Sequence, residues 1–387
     1  MLIPNEIEKD FIYSLIFEEH EKFIEIISNN TVNFERIVSI VNFNRIEYFV
    51  LNKLNSTFRT NKLPKDFLEQ LEKYHFKKAI PTLKIIEKVF LLSEHLQESN
   101  LEHVFLKGIS LHDQNKIFMR PMRDIDVLVN KEDITEAISL AKFLGFKFKN
   151  ESTEPTNSYI NNSSFYDLPL MTDENGVFLE IHFRITTESD HCLLKDNFFE
   201  SKRLIKIHGK NIYTPCPEVL FAHLIYHASK KGNFDVGPSA LVDLLQLFDE
   251  VNKNEVLKIS DLLEMRKISE LFFELVEFSK NKEITISEDA EKLKEVLIFP
   301  SLNSKITEIL MQESFSKMLV KLKDTLFVSK THLQREFKIN KKLSINSYFI
   351  KRWARQVNKF STSFFFIFKN LISVNKRNKI IKDLIKN

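Results

Sequence analysis

The apolar residues of this chain recur three and four apart up to about residue 98, switch at His103 to the two-residue period of β-strands, and return to helical spacing after residue 215. One such change of period restricts the fold to an α+β arrangement, a small mixed β-sheet embedded in a predominantly helical protein. The chain divides accordingly into an N-terminal helical region (1–98), a mixed core (99–215), a second helical region packing on that core (216–329) and a C-terminal segment (330–387). In the first region FERIVSIVNFNRIEYFVLNKL and LKIIEKVFLLSEHL carry the helical pattern, which Pro64 and Pro81 are expected to interrupt.

Inside the core, HVFLKG reads as a short buried strand and ISLHDQNKI as the helix after it. RDIDVLVN is a second strand, with Asn130 placed to cap the next helix. That helix, KEDITEAISLAKFLG, shows Ile134, Ala137, Ile138, Ala141 and Leu144 on one face and ends at Gly145. FKFKN, SFYDLPLM and VFLEIHFRI follow as strands, the last two forming a hairpin around TDENG whose five-residue connection leaves the register open. With 43% hydrophobic residues over 387 positions, the chain can bury a core and is not intrinsically disordered. Its two cysteines, Cys192 and Cys216, belong to no CxxC or CxxH pair, which argues against a disulfide framework or a structural zinc site. No signal-like N-terminus and no eighteen-residue apolar run is present, so a reducing, cytoplasmic setting is expected.

The net charge of +3 conceals an asymmetry. Lys330 to Asn387 holds 15 Lys or Arg and only two acids, Glu336 and Asp383, a footprint suited to RNA or an anionic membrane surface, or to a solvated helical tail. KRWARQVNKFSTSFFFIFKNLIS within it suits an interfacial helix or one packed on its own domain.

The chemistry is concentrated in Arg123-Asp124-Ile125-Asp126-Val127-Leu128-Val129. In a strand Asp124 and Asp126 share a face while Ile125 and Val127 take the other. Two neighbouring carboxylates at the edge of an apolar run repel each other unless a cation intervenes, and Mg²⁺ accepts one or two carboxylates and completes its shell with phosphates and water. Leu179-Glu180-Ile181-His182 repeats the alternation, so Glu180 becomes a third metal-facing acid if that strand lies beside the first. His182 is either an active-site donor or a buried structural histidine. Only six glycines occur, and Gly108 in LKGIS falls between a strand and a helix, where backbone N–H groups can approach phosphate. Gly108 and Ser110 are the candidate cradle, with Lys107 a nearby charge. Arg120 and Arg123 are placed to neutralise a triphosphate or to reinforce the fold.

The run LKGISLHDQNKIFMRPMRDIDVLVNKEDITEAISLAKFLGFKF resembles the core of the DNA polymerase beta-type nucleotidyltransferase superfamily, and is most similar to its uncharacterised bacterial branch. PEVLFAHLIYHASKKG, Asp243 in ALVDLL, Phe299 to Ser301 and YFIKRW near Tyr348 extend the likeness over about residues 85–355. The resemblance implies a polymerase beta-like catalytic core at 99–215 that transfers a nucleoside monophosphate from a nucleoside triphosphate, ATP among the candidates, to an acceptor with loss of pyrophosphate. It implies Asp124, Asp126 and Glu180 as catalytic metal acids for Mg²⁺ or Mn²⁺. It also implies Lys107, Gly108, Ser110, Arg120, Arg123 and His182 around the nucleotide. The turn reads GIS where the superfamily commonly has GS or GG, so the Ser110 contact stays open; His227 and Asp243 match the branch's helical His and Asp, whereas Lys231 replaces a second histidine. The acceptor, whether an RNA end, a protein hydroxyl, a metabolite or a saccharide, is not written in these motifs. Two other readings of the DxD triplet are a metal-dependent glycosyltransferase and a degenerate fold that binds RNA or membrane through residues 330–387.

Overall fold

A computed structural model of the chain describes residues 3–28, 32–60, 62–112, 121–148, 154–162, 165–185, 197–231, 234–298 and 371–386. Arg120, Cys192, Phe299 to Ser301 and Tyr348 lie outside the described residues, as does most of the basic segment.

Five helices open the chain: α1 (Glu6–Ile16), α2 (His20–Ser28), α3 (Phe34–Asn44), α4 (Glu47–Ser56) and α5 (Lys65–Glu98). Each starts where its sequence allows. Asn5 caps α1 in a capping box with Glu8, and the Asn33 side chain accepts from Arg36 N–H at the start of α3. Pro64 is the N-cap of α5, in keeping with its expected role as a breaker, but Pro81 lies inside that helix, which runs unbroken for 34 residues. An interior proline costs a helix about 3 kcal/mol. The offset comes from both sides of the break. Phe67 and Leu71 are buried in one core and Ile85, Ile86, Val89, Leu92 and Leu96 in another, and each such side chain contributes about 1.5–3 kcal/mol. Thr82 ties the turn at the proline to the sheet: its hydroxyl donates to the Lys78 carbonyl at 2.8 Å and accepts from Met122 N–H at 3.2 Å.

The expected mixed sheet follows. It has five strands in the order β1-β2-β5-β4-β3, where β1 is His103–Phe105, β2 Asp124–Val129, β3 Lys147–Phe148, β4 Met171–Thr172 and β5 Phe178–His182. β2 and β5 are parallel with Asp126 opposite Glu180; the remaining neighbours are antiparallel. The turn after β1 is a 3₁₀-helix, Lys107–Leu111, in place of the longer helix read from ISLHDQNKI; positions 113–120 lie outside the described residues. Between β2 and β3 runs α6 (Ile134–Phe143), burying Ile134, Ala137, Ile138 and Ala141 as its spacing predicts. Asn130 makes no side-chain cap there; its amide donates to Glu102. The β4–β5 hairpin turns through Gly176 at φ 77°, a conformation open to glycine, while Asp173 Oδ1 accepts from Val177 N–H at 2.8 Å. A second hairpin, β6 (Arg203–Ile207) with β7 (Lys210–Thr214), leads back to helices.

Strand alternation sorts the sheet's two faces. Ile125, Val127, Leu179 and Ile181 join α5 and α6 in one core, while Leu128 and Leu106 belong to the larger helical core. The carboxylates stand on this second face. The helix Leu371–Lys386, the described part of the basic segment, packs on helix Glu288–Leu297; it buries Ile381 and Leu384, and places the buried Arg377 2.8 Å from Asp235. Among the described residues no helix is long and apolar enough to cross a membrane.

Candidate active site

Parallel pairing of β2 with β5 brings Asp126 and Glu180 into register, with Leu128 and His182 one pair further on. The side chains of Asp126, Glu180 and His182 therefore project from adjacent strands on one face, and one ligand atom from each lies within 4.8 Å of the others. Two carboxylate oxygens and an imidazole nitrogen at this spacing are a donor set that fits a divalent cation. Asp124 begins the same strand on the same face, half-buried, and its charge acts on Glu180 and Lys107.

The electrostatics divide the acids by role. Asp126 is 5% exposed, and its Oδ1 accepts from Lys107 Nζ at 2.7 Å and lies 2.9 Å from His182 Nε2. Burial alone would push this carboxyl up, but the Lys107 ammonium and the His182 contact outweigh it and hold Asp126 well below the usual carboxylate range. Glu180 behaves oppositely: burial, followed by the charge of Asp126, raises its carboxyl against the pull of His182 and Lys107. Lys107 resists the lowering effect of burial because Asp126, and then Glu180 and Asp124, raise it.

Lys107 reaches this position through its backbone. It sits at φ 49°, in the left-handed region that costs a residue with a Cβ about 1–2 kcal/mol. Gly108 follows in close packing, where an added Cβ would fall 3.3 Å from Met122 Cγ. Ser110, read from the sequence as half of a phosphate cradle, is 2% exposed and donates its hydroxyl to the Phe105 carbonyl at 2.6 Å, closing the turn onto β1. Arg123, immediately before Asp124, is exposed, and burial of part of its side chain lowers the guanidinium against the charge of Asp124. Of the residues expected around the nucleotide, the structure thus gathers Lys107 and His182 onto the acids and sets Gly108 and Ser110 in the adjoining turn.

Tyr166 was not anticipated. Its ring stacks parallel to His182, with centroids 6.4 Å apart and planes 7° off, and its phenol is pushed up to about 12 by burial and then by the charges of Asp167 and Glu180. Only the hairpin register could have revealed it: Asp167 bridges to His182, a pairing that the five-residue connection left open. Helices Pro217–Tyr226 and Ser239–Leu247, which carry the buried His223 and Asp243, pack against the Lys107–Leu111 turn.

Residues 30–278 match the model of a family described as Uncharacterised nucleotidyltransferase. No curated protein matches the chain significantly. Among solved structures the chain is similar to the antibiotic-resistance factor ANT(2″)-Ia, at 14% identity and TM-score 0.36, over 49% of this chain and 94% of that one. It is also similar to an antigenic nucleotidyltransferase-like protein from Paracoccidioides brasiliensis, at 12% identity and TM-score 0.32, over 53% of this chain and 94% of that one.

Proposed function

Because the chain belongs to the Uncharacterised nucleotidyltransferase family, we propose that it moves a nucleoside monophosphate from a nucleoside triphosphate to an acceptor hydroxyl. The acceptor oxygen loses its proton and bonds to the α-phosphorus, the bond from that phosphorus to the β-phosphate oxygen breaks, and pyrophosphate leaves. The observation that carries this reading is the convergence of Asp126, Glu180 and His182 within ligating distance of one another. A divalent cation held by these side chains, with Asp124 beside them, supplies positive charge to the phosphate oxygens and to the attacking hydroxyl.

The chain's own groups have separable tasks. Asp126, kept ionised by Lys107, is a poor proton acceptor and a durable anionic ligand. Glu180 is the better general base, because burial and Asp126 raise its proton affinity toward the working pH and it is the more exposed of the two, 31% against 5%. Before a cation binds, His182, backed by the ring of Tyr166, orients Asp126 through the Nε2 contact, which it gives up when that nitrogen serves as a ligand. Lys107 brings the compensating positive charge and, with the Gly108 and Ser110 turn, borders the place assigned to the triphosphate.

The test is transfer of label. Each of the four α-³²P nucleoside triphosphates is incubated with the protein, Mg²⁺ or Mn²⁺ and cell extract, and the adduct is identified by mass. Incorporation that disappears in Asp126→Asn supports the reading. Transfer from a nucleotide sugar, with no incorporation from any triphosphate, would replace it with glycosyl transfer.

A further inference from the structure

At the end of β2 that carries Asp124, a cavity of about 440 Å³ opens between α5, the end of α3 and the β4–β5 hairpin. Its volume falls within the range of small-molecule sites, about 300–1,000 Å³. Arg45, Lys77, Lys78, Lys84 and Arg123 line it, and among the described residues no aspartate or glutamate does. Lys78 is already committed, to the buried Glu47 carboxylate and to the Asn42 carbonyl at 2.8 Å. Arg45, Lys77 and Lys84 form no ion pair among the described residues, and the Nε of Arg45 is buried without a hydrogen-bond partner there. A concave surface with several uncompensated cations concentrates a field that draws anions.

The position of this cavity separates it from the carboxylates while keeping it beside them. Met122 and Ile85, in its wall, belong to the core on the sheet face opposite Asp126 and Glu180. Arg123 is the residue before Asp124, and Val177 is the residue before Phe178, the partner of Asp124. The cavity therefore adjoins the residues that lead into β2 and β5, the two strands that carry the acids. Tyr74, Ile80 and Pro81 add apolar surface to the same wall.

We propose that this cavity is the acceptor site and that it takes a phosphate ester, held through Arg45, Lys77, Lys84 and Arg123 so that its hydroxyl is presented around the end of β2 to the carboxylates. The proposal rests on the nucleotidyl-transfer reading and names the acceptor's chemical class. A phosphorylated small molecule and the end of a nucleic acid share this chemistry.

Titration calorimetry on the full chain in EDTA, with sodium tripolyphosphate and separately with a short oligouridylate, tests it. The variants are Lys77→Glu with Lys84→Glu, two exposed positions on α5 whose exchange leaves the fold within about 0.5 kcal/mol, and Asp126→Asn, which discharges the other site. The expected result is anion binding that weakens at least tenfold in the double charge reversal and persists in Asp126→Asn. Fluorescent nucleoside triphosphate with Mg²⁺ should bind the double variant as it binds wild type. A preference for oligouridylate with a steep salt dependence identifies a nucleic-acid acceptor; a preference for tripolyphosphate identifies a small one. Binding that ignores Lys77 and Lys84, binding lost in Asp126→Asn, or no binding at low salt overturns the proposal. If anion binding follows Lys77 and Lys84 but no triphosphate binds wild type, the cavity stands as an anion site and the transfer reading falls.

Discussion

Replacing Lys107 by Met isolates the electrostatics of the candidate site. The variant keeps most of the side chain's length and removes the ammonium 2.7 Å from Asp126 Oδ1, where the two side chains are 14% and 5% exposed. Deleting one partner of a buried pair costs about 3–5 kcal/mol. Part of that is retained here, because His182 Nε2 still lies 2.9 Å from the same oxygen, and hydrogen bonds to charged groups contribute about 1.5–3 kcal/mol. The expected loss in EDTA is therefore about 2–3 kcal/mol. A divalent cation acts in the other direction, adding about 2.7 kcal/mol at a hundredfold excess over its Kd. Wild type gains less from it, since the Lys107 ammonium already offsets part of the Asp126 charge that would attract the cation. Urea unfolding followed by circular dichroism near neutral pH, with EDTA and with saturating Mn²⁺, measures both terms. Two results would refute the reasoning: a variant as stable as wild type in EDTA, or a deficit that saturating cation leaves unchanged.

Three further outcomes are expected. Glu180→Gln should retain nucleotide binding while turnover falls about 10²-fold or more; equal initial rates would place the base elsewhere. Tyr13→Phe removes the hydroxyl that donates to the Lys294 carbonyl, at a cost of about 1 kcal/mol near neutral pH. Burial, then Glu291 and Glu295, hold this phenol well above its ordinary value. Its contribution to stability is thus complete below about pH 10 and is lost as pH rises through the folded value, so the variant's stability should decline less at alkaline pH than that of wild type, and parallel alkaline limbs would contradict this. Arg377→Met leaves Asp235 without the guanidinium 2.8 Å away and should cost about 3–5 kcal/mol, with faster tryptic cleavage in Leu371–Lys386. A loss under about 0.5 kcal/mol, the scale of an ordinary surface substitution, would show that the helix is held by other contacts.

What the sequence revealed was local. The two-residue alternation of Asp124, Ile125, Asp126 and Val127 and the helical spacing of Ile134, Ala137, Ile138 and Ala141 each follow from the geometry of one element, and each holds in the structure. Pairing of β2 with β5 could be stated only conditionally, because two parallel strands joined by a long crossover carry no adjacent signal of register. Pro81 shows the limit of propensity: a penalty sufficient to end an isolated helix is outweighed by apolar contacts made far along the chain. Ser110 and Lys107 fail to read for a related reason. A hydroxyl two residues after a glycine has the same pattern whether it faces phosphate or the Phe105 carbonyl, and the reach of Lys107 to Asp126 depends on a left-handed backbone that its identity does not announce. The 15 basic residues of the C-terminal segment gave charge but no partner; its described helix is anchored through Arg377 to the molecule's own body.

The uninterrupted course of α5 has a thermodynamic consequence. About 50 Å long at 1.5 Å per residue, it is gripped by the helical core through Phe67 and Leu71 and by the sheet through Val89 and Leu92. Neither core can melt alone without unwinding, or stripping bare, half of a rod whose other half is still clamped. The two are yoked into one cooperative unit, and a weakness introduced in either is felt by both.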